Sequence, residues 1–225
     1  MTAEPPKEQP VITGPAQFDK AFGVSRETLD RLKLYADLLK RWQKVVNLVA
    51  PSTLGEVWHR HFADSAQLAA LIPPLAKRHV DLGSGGGFPG LVLAIMMVER
   101  GGLATTLVES DQRKCAFLRE VARNTGIAVE ILAQRIENPA TCAKVGAVDV
   151  VTARALAPLA HLFALSAPIC TASTLGLYLK GRGVEQEIED ARKFWQFEHR
   201  LIPSLTQAGA AVVEVRNLVA LDKGA

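Results

Sequence analysis

Residues 80–90, VDLGSGGGFPG, place five glycines and a proline directly behind a short apolar run. Five glycines exceed what a tight turn requires, and glycine lets a backbone approach a ligand closely. In a doubly wound sheet, ligands bind where the first strand ends and the first helix begins. The segment therefore predicts an α/β chain with a ligand site at this loop.

Short β-branched runs alternate with helical patterns through most of the chain. Strands are predicted near 78–82, 104–108, 127–131, 148–152 and 174–179, with helices near 89–99, 111–124, 156–167 and 184–194. This alternation predicts a parallel sheet covered by helices on both faces. Two further strand patterns, 198–202 and 211–216, have no helix between them. We therefore expect a Rossmann-like α/β sheet of about seven strands that ends in an antiparallel pair.

The N-terminal third has a different pattern. Residues 1–18 are rich in Pro, Glu and Gln without an apolar period, which predicts a disordered leader. Apolar residues at three- and four-residue steps predict a helix from Ser25, its cap, to Val49. A second helix is expected from Ser52 to Ile72, where two prolines stop it. The expected organisation is thus a leader, a helical cap over 19–74 and a compact ligand-binding core over 75–225.

Composition limits the classes of protein that this chain can belong to. Its 225 residues are 48% hydrophobic, enough for one full core. Because no N-terminal segment resembles a signal peptide and the apolar run at 91–98 is too short to cross a bilayer, we expect a cytoplasmic protein. The three cysteines lack metal-site or disulfide spacing. Between residues 20 and 60, eight Lys or Arg stand against four acids, which fits a phosphate-facing surface or an ordinary solvated helix face.

Two kinds of ligand compete for the glycine loop. From Gly85 to Gly90 the spacing is G-x-G-x-x-G, with Glu109 about 20 residues beyond, as in a dinucleotide site. From Asp81, the same loop carries an acid two residues before its first glycine. An aspartate at the strand tip repels a pyrophosphate and attracts a cation. S-adenosylmethionine carries a sulfonium and an ammonium group where NAD carries phosphates, so the charge favours S-adenosylmethionine.

Further cofactor contacts are predicted after the second and third strands. Glu109 would accept hydrogen bonds from both ribose hydroxyls, or it is a solvated acid at a helix N-terminus. After the third strand, the N–H groups of Ile136 and Glu137 would contact adenine, and the Glu137 carboxylate its amino group. The alternative is that Arg135 and Glu137 are surface charges.

Several segments occur together in the order found in one known family. They are Asn47-Leu48, RHFADS at 60–65, the glycine loop, Arg135-Ile136-Glu137, Thr152-Ala153-Arg154-Ala155 and Leu179-Lys180-Gly181. From Leu29 to Val215 the chain resembles the ribosomal small-subunit RNA guanine-N7 methyltransferases, also called glucose-inhibited division protein B or methyltransferase G. Gly86 and Phe88 stand where relatives often carry other residues, and neither change threatens binding by the loop backbone.

The resemblance implies a class I methyltransferase fold and methylation of N7 of guanine 527 in the decoding-region loop of 16S ribosomal RNA. S-adenosylmethionine is the implied cofactor, and 16S RNA or the small-subunit particle is the implied partner. We also expect a monomer that does not contact a membrane. Together with the residue-level reasoning, the predicted cofactor-binding residues are Asp81, Gly83, Gly85, Phe88, Glu109, Ile136, Glu137 and Arg154. The resemblance itself supplies Gly83, Phe88, Ile136, Glu137 and Arg154.

Guanine N7 has a free lone pair, so its methylation requires orientation and no general base. We therefore expect no catalytic base in this chain. Arg154 would donate to guanine O6 or, as the resemblance favours, to the methionine carboxylate; the alternative is a structural ion pair. The segment Thr152-Ala153-Arg154-Ala155 stands where adenine-N6 enzymes carry a Pro-Pro-aromatic run. No cysteine has the proline neighbour typical of cytosine-C5 enzymes.

Arg60 and Lys180 are the candidate RNA contacts, and an ordinary surface lysine is the alternative for Lys180. His59 and His61 diverge on a helix, so no metal site is expected. Two other functions remain open. One is an NAD-linked oxidoreductase that uses the Gly85 spacing, and the other is a noncatalytic RNA-binding module that has kept the fold.

Overall fold

The computed structural model describes residues 11–221, and one seven-stranded sheet organises them. Its strands are β1 (Arg78–Leu82), β2 (Ala104–Val108), β3 (Val129–Leu132), β4 (Val150–Arg154), β5 (Leu175–Lys180), β6 (Trp195–Pro203) and β7 (Ala211–Ala220). They lie in the order β3-β2-β1-β4-β5-β7-β6. The first five are parallel, and β7 is antiparallel to β5 and β6. The predicted α/β sheet with an antiparallel end is confirmed.

Helices precede the sheet and connect its parallel strands. They are α1 (Pro15–Phe22), α2 (Arg26–Trp42), α3 (Asp64–Ala66), α4 (Gly90–Met97), α5 (Gln112–Thr125), α6 (Pro139–Val145), α7 (Leu159–Ser166) and α8 (Val184–Arg192). The patterns predicted α4, α5, α7 and α8, whereas α6 was missed because seven residues give too short an apolar period. Its start carries a local signal, since the Asn138 side chain accepts a hydrogen bond from the Ala140 N–H and Pro139 is the first residue.

Helix α2 begins where the sequence predicts and ends earlier. The Ser25 side chain caps it by accepting a hydrogen bond from the Thr28 N–H at 3.0 Å. After Trp42 the chain turns, because the Gln43 side chain bonds the backbone of Val49 at 2.8 Å through its amide nitrogen. The apolar period continues to Val49, but those residues are buried in the turn and not on a helix.

The region predicted as one helix from Ser52 to Ile72 is helical but irregular. It consists of a 3₁₀ segment (Pro51–Glu56), a π-helical turn (Trp58–Ala63), α3 and a second 3₁₀ segment (Gln67–Ala70). Ser65 donates from its hydroxyl to the His61 carbonyl within this region. Such bonding back to a helix carbonyl bends a helix. The prediction of a single regular helix was therefore wrong in detail.

The predicted disordered leader is wrong from residue 15 onward. Helix α1 occupies Pro15–Phe22 and fully buries Phe18, whose ring centroid lies 5.5 Å from that of Trp58. Burial of this aromatic side chain outweighs the polar composition around it. Residues 1–10 of the predicted leader lie outside the described residues.

The helical cap shares a hydrophobic core with one face of the sheet. Tyr35 from α2 packs against Phe62, Phe88 and Phe117 at centroid distances of 5.1, 5.2 and 6.1 Å. The opposite face has its own core, in which α7 and α8 cover the strands. The cap is thus packed directly against the glycine loop, which contains Phe88.

The described part of the chain offers no membrane-spanning helix, since none of its helices is both long and apolar enough. Within residues 11–221, no three His, Cys, Asp or Glu side chains are grouped as metal ligands. Cys115, Cys142 and Cys170 are free thiols.

Candidate functional site

Two adjoining cavities open at the carboxyl edge of the parallel strands. The glycine-loop cavity, of about 370 Å³, is lined by segments that follow β1, β2, β3 and β4. The hairpin cavity, of about 500 Å³, lies between the cap, the segments after β4 and β5, and the β6–β7 turn. Leu48, Arg154 and Ala155 line both cavities. These three residues form the boundary between them.

The glycine-loop cavity brings together most of the predicted cofactor-binding residues. Those that line it are Gly83, Gly85, Phe88, Glu109, Ile136, Glu137 and Arg154. The two predicted RNA contacts, Arg60 and Lys180, line the hairpin cavity. Asp81 lines neither cavity.

Asp81 lies beneath the glycine loop and is fully buried. Its Oδ1 accepts a hydrogen bond from the Thr152 hydroxyl at 2.7 Å, and its Oδ2 accepts one from the Gly90 N–H at 3.3 Å. Burial raises the pKa of this carboxyl to about 6, although those hydrogen bonds oppose the shift. The carboxylate therefore ties the glycine loop to β4. Because Asp81 is buried and lines neither cavity, its carboxylate is not placed for the expected contact with a cationic ligand.

Glu109, by contrast, combines burial with a place on the cavity wall. It is 8% exposed and follows the last residue of β2. Its Oε2 accepts a hydrogen bond from the Gly85 N–H at 2.9 Å, and its Oε1 accepts one from the Asp111 N–H at 2.8 Å. Each carboxylate oxygen has a second lone pair for a ligand hydroxyl. Glu109 therefore shapes the loop and can also bind a ligand.

Three loop glycines, Gly83, Gly85 and Gly87, adopt left-handed backbone conformations, but the space beside each one differs. A Cβ at Gly83 would lie 2.6 Å from the Leu156 side chain, and one at Gly87 would lie 2.5 Å from the Tyr35 hydroxyl. Packing against the protein itself thus requires these two glycines. At Gly85, with φ +53°, the nearest heavy atom to a Cβ would be 3.8 Å away. Gly85 therefore leaves open space at the cavity wall.

An aromatic and cationic stack supports the loop from below. The Phe88 ring lies parallel to that of Tyr35, with 5.2 Å between centroids and 16° between planes. The guanidinium carbon of Arg154 lies 5.0 Å from the Phe88 centroid. The Tyr35 hydroxyl donates a hydrogen bond to the Gly86 carbonyl. The loop is thereby held by α2 on one side and by the end of β4 on the other.

Arg154 is also tied to the RHFADS segment. Its Nη1 lies 3.2 Å from the Arg60 carbonyl oxygen and 3.3 Å from Asp64 Oδ2, and its Nη2 lies 2.8 Å from His61 Nδ1. The structural ion pair, considered as an alternative from the sequence, is therefore present. A contact from Arg154 to a methionine carboxylate stays a prediction.

His61 is a neutral, fully bonded imidazole. An arginine can only donate, so Nδ1 accepts from Arg154 and the proton of the ring is on Nε2. Nε2 then donates to the Thr53 hydroxyl at 2.8 Å, which donates to the Ala50 carbonyl. Burial, and then the charges of Arg154 and Arg60, lower the pKa of His61 to about 3. His61 is therefore poorly suited to act as a base.

The loop after β3 is more open than the glycine loop. Ile136 is half-buried, and the Glu137 side chain is 53% exposed and lies 3.7 Å from Arg135. Both residues line the cavity, so the predicted adenine contact has a place to form. The Arg135–Glu137 pair also matches the surface-charge alternative, and the role of Ile136 and Glu137 stays a prediction.

The turn between β6 and β7 closes the hairpin cavity against the cap. Thr206 donates to Asp64 Oδ1 at 2.8 Å, and Arg60 Nη2 donates to Gln207 Oε1 at 2.8 Å. The Leu205 N–H donates to the Gln67 side chain at 2.9 Å. Through Arg154 and this turn, the RHFADS segment ties the cap to the sheet.

Sequence reasoning missed some cavity residues. Gln207 lies in the β6–β7 turn, and Leu48 was named only within the Asn47-Leu48 segment of the family resemblance, without a role in a cavity. Lys114 is in the first turn of α5, five residues after Glu109. Its position in the helix that follows β2 and Glu109 is a usable signal, whereas Gln207 has none.

Comparison with known proteins identifies a family and a fold. Residues 28–217 match the family described as rRNA small subunit methyltransferase G, or GidB. The chain is 51% identical over 209 residues to the ribosomal RNA small subunit methyltransferase G of Parvibaculum lavamentivorans, covering 93% of this chain and 92% of that protein. It is 51% identical over 205 residues to the protein of the same name from Paramagnetospirillum magneticum, covering 91% and 96%.

Solved structures share the sheet at much lower identity. A putative O-methyltransferase from Klebsiella pneumoniae matches with a TM-score of 0.55 and 15% identity, over 90% of this chain and 96% of that one. The ribosomal protein L11 methylase of Lactobacillus delbrueckii subsp. bulgaricus matches with a TM-score of 0.51 and 17% identity, over 67% and 77%. These likenesses show a Rossmann-like methyltransferase fold.

Proposed function

Because this chain belongs to the rRNA small subunit methyltransferase G family, we propose that it transfers a methyl group from S-adenosylmethionine to N7 of a guanine in 16S ribosomal RNA. The convergence of seven predicted cofactor residues on the glycine-loop cavity carries this proposal. A second, larger cavity adjoins it on the side where an acceptor base would enter. Guanine 527 is the proposed target, as the family resemblance implies.

The residues around the glycine-loop cavity fit S-adenosylmethionine. Glu109 offers two buried carboxylate oxygens to the ribose hydroxyls, and the loop after β3 offers Ile136 and Glu137 to adenine. Gly85 leaves the space that a close backbone approach needs. When bound, S-adenosylmethionine supplies an electrophilic methyl group.

The hairpin cavity is proposed to hold the target nucleotide. Its lining includes four basic side chains. Those of Arg154 and Lys180 are paired with Asp64 and Glu187, whereas Arg60 and Arg182 form no ion pair within the described residues. Positive side chains favour a phosphate-bearing ligand. Because Arg154 and Ala155 border both cavities, a base in the hairpin cavity lies next to the cofactor.

The surroundings agree with a reaction that requires no proton removal. Guanine N7 has a lone pair ready for attack, so orientation is the main requirement. His61 is the histidine that lines the hairpin cavity, and both of its ring nitrogens are engaged. We therefore assign no general base, and the protein acts by holding N7 in line with the methyl group.

Two alternatives are tested directly by binding and turnover. An NAD-linked oxidoreductase predicts that calorimetry detects NAD and not S-adenosylhomocysteine, and we expect the opposite. A noncatalytic RNA-binding module predicts that no labelled methyl group enters RNA. No feature of the described residues favours either alternative over methyl transfer.

The decisive experiment maps N7-methylguanine in 16S RNA. Small-subunit particles from cells that lack this family's enzyme are incubated with labelled S-adenosylmethionine, with and without the protein. We expect label in 16S RNA and protein-dependent chain cleavage at guanine 527 after reduction and aniline treatment. Label at another base, or none, contradicts the proposed function.

We also propose that the protein works in the cytoplasm as a monomer. Its substrate, the small ribosomal subunit, is located there. Light scattering of the purified protein tests the oligomeric state, and a mass of 24.3 kDa is expected.

A further inference from the structure

Lys180 and Glu187 form an ion pair with unusual burial. Lys180 is the last residue of β5, Glu187 lies in the first turn of α8, and Nζ and Oε2 are 2.6 Å apart. Their side chains are 10% and 29% exposed. Among the ion pairs of residues 11–221, only the one between Arg154 and Asp64 is comparably buried on both sides. A pair in this setting is held in one geometry, unlike exposed pairs.

Both side chains also bond the backbone of the loop that joins β4 to α7. Lys180 Nζ donates to the Ala157 carbonyl at 2.9 Å. Glu187 Oε2 accepts from the Leu159 N–H at 2.8 Å. These two backbone groups flank Pro158, so the pair grips the loop on either side of the proline. We call this arrangement the Lys180–Glu187 clamp.

The clamped loop borders both cavities. Ala155 and Leu156 line the glycine-loop cavity, and Ala155 also lines the hairpin cavity. Ala155 has a φ of +52°, a left-handed conformation that alanine rarely adopts. Such a conformation persists only where neighbouring contacts fix it. The clamp, two residues further along, is one such contact.

We propose that Lys180 and Glu187 are positioning residues that fix the β4–α7 loop at the boundary between cofactor and target base. Lys180 acts through the Ala157 carbonyl and does not serve as a phosphate contact, because its ammonium group is largely buried and already paired with a carboxylate. This inference rests on the proposed function for its kinetic consequences. Its structural part does not depend on that function.

A variant in which the lysine and the glutamate exchange places tests whether the backbone hydrogen bonds of the clamp matter, or only its ion pair. In the double variant Lys180→Glu/Glu187→Lys, opposite charges still face each other, but glutamate cannot donate to the Ala157 carbonyl and lysine cannot accept from the Leu159 N–H. We expect this variant and Lys180→Met to exchange the Leu159 amide hydrogen faster. We also expect kcat for methyl transfer to small subunits to fall by about tenfold to a hundredfold, because misplacement of a reacting geometry is costly. KM for the subunits should stay unchanged.

Two conservative variants and one matched control complete the test. Lys180→Arg keeps a donor and Glu187→Gln keeps an acceptor for Leu159, so both should retain more activity than Lys180→Met. Lys193→Met breaks the exposed 2.6 Å pair with Asp190 at the end of α8 and should change neither exchange nor kinetics. Thermal melting shows whether each variant is folded. If Lys180→Met does not fold, the kinetics and amide exchange of Lys180→Arg and Glu187→Gln test the proposal.

The opposite results overturn the proposal. If Lys180→Met raises KM with unchanged kcat and unchanged Leu159 exchange, Lys180 is an RNA contact. If the charge-exchanged variant is as active as the original protein, only the ion pair matters. If the unmodified protein transfers no methyl group, the proposed function fails, while exchange at Leu159 still decides whether the clamp holds the loop.

Discussion

At the scale of single residues, Gly85 offers a clean test of the cavity wall. A Cβ there meets no heavy atom closer than 3.8 Å, whereas one at Gly83 would lie 2.6 Å from Leu156. Gly85→Ala should therefore fold, at a cost of roughly 1 kcal/mol for its left-handed backbone. In the proposed binding mode, the added methyl group occupies space that S-adenosylmethionine would fill. We expect the affinity for S-adenosylhomocysteine, measured by calorimetry, to fall by about tenfold, which corresponds to about 1.4 kcal/mol.

Gly101→Ala is the matched control for this prediction. Gly101 has a φ of +92°, a Cβ there would meet nothing within 4 Å, and the residue lies outside both cavities. Its variant should lose a similar amount of stability and bind S-adenosylhomocysteine normally. Equal weakening of binding by both variants would show that backbone strain, and not the cavity, is responsible.

His79 makes stability depend on pH. It is buried in β1, with its ring nitrogens 3.2 Å from the Thr105 hydroxyl and 2.9 Å from the Thr152 hydroxyl. Burial lowers its pKa from 6.5 to about 3. Because the folded pKa lies below the unfolded one, the stability from neutral His79 is present above pH 6.5 and is lost as pH falls towards 3. The expected loss is up to about 1.4 kcal/mol per pH unit.

Urea unfolding between about pH 7 and about pH 4.5 measures this dependence. Other groups also make the free energy of unfolding depend on pH. Because the pKa of Asp81 is raised to about 6, protonation of its carboxyl adds stability as pH falls. The comparison is therefore between the original protein and His79→Gln, whose stability should fall less steeply with acid. Substitution of the exposed His161 by Gln is the matched surface control for this exchange. A His79→Gln slope equal to that of the original protein contradicts the assignment.

At the scale of elements, α2 supports the glycine loop through one hydroxyl group. Tyr35 is fully buried, stacks on Phe88 and donates to the Gly86 carbonyl. Tyr35→Phe leaves that carbonyl without its donor, which typically costs about 1–3 kcal/mol. Because Gly86 lines the glycine-loop cavity, we expect weaker binding of S-adenosylhomocysteine as well as a lower free energy of unfolding.

The other tyrosine supplies the control. Tyr178 is equally buried and donates to the Ser166 hydroxyl at 2.9 Å, in the core on the opposite face of the sheet. Tyr178→Phe should lower stability by a similar amount and leave cofactor affinity unchanged. If both variants bind the cofactor normally, α2 does not position the loop.

Elements with long, regular patterns could be predicted from the sequence, and those set by tertiary contacts could not. The parallel strands and α5 follow from period and caps. The end of α2 depends on hydrogen bonds from Gln43, and α1 depends on burial of Phe18 beside Trp58. Pro15 and Gly23 give local signals for the two ends of α1, but neither shows that Phe18 is buried, and the sequence of α2 does not show that Gln43 ends it.

The same distinction applies to the candidate site. Strand ends of a parallel sheet meet at one edge, so Glu109 and Glu137 could be placed together from the sequence. Which way a side chain points at that edge depends on its neighbours. Asp81 therefore lies under the loop and bonds Thr152, and Lys180 lies against Ala157, although the sequence suggested ligand contacts for both.

At the scale of the whole molecule, the charge is small but unevenly placed. The net charge is +3, and the side chains of α2 and the turn after it include Lys33, Lys40, Arg41 and Lys44. If this surface faces ribosomal RNA, the logarithm of affinity should fall linearly with the logarithm of salt concentration. Lys40→Glu/Lys44→Glu should reduce that slope by about 1 for each phosphate that the variant no longer binds. Filter binding over a range of salt measures it.

Lys193→Glu, at the end of the distant α8, is the control for this charge change and should leave the slope unaltered. A flat salt response in the original protein would show that the basic surface of the cap does not contact RNA.

The order of strands has a consequence for synthesis of the chain. β7 lies between β5 and β6 although it follows both in sequence, and β6 is at the edge of the sheet with β7 as its neighbour. When translation has reached only residue 210, β7 has not yet been made and β6 has no neighbouring strand with which to pair. Since the β6–β7 turn bonds Asp64 and Arg60, the hairpin cavity gains its last wall only after translation passes residue 220. An emerging polypeptide thus has the sequence of its whole glycine loop before it can enclose the second cavity.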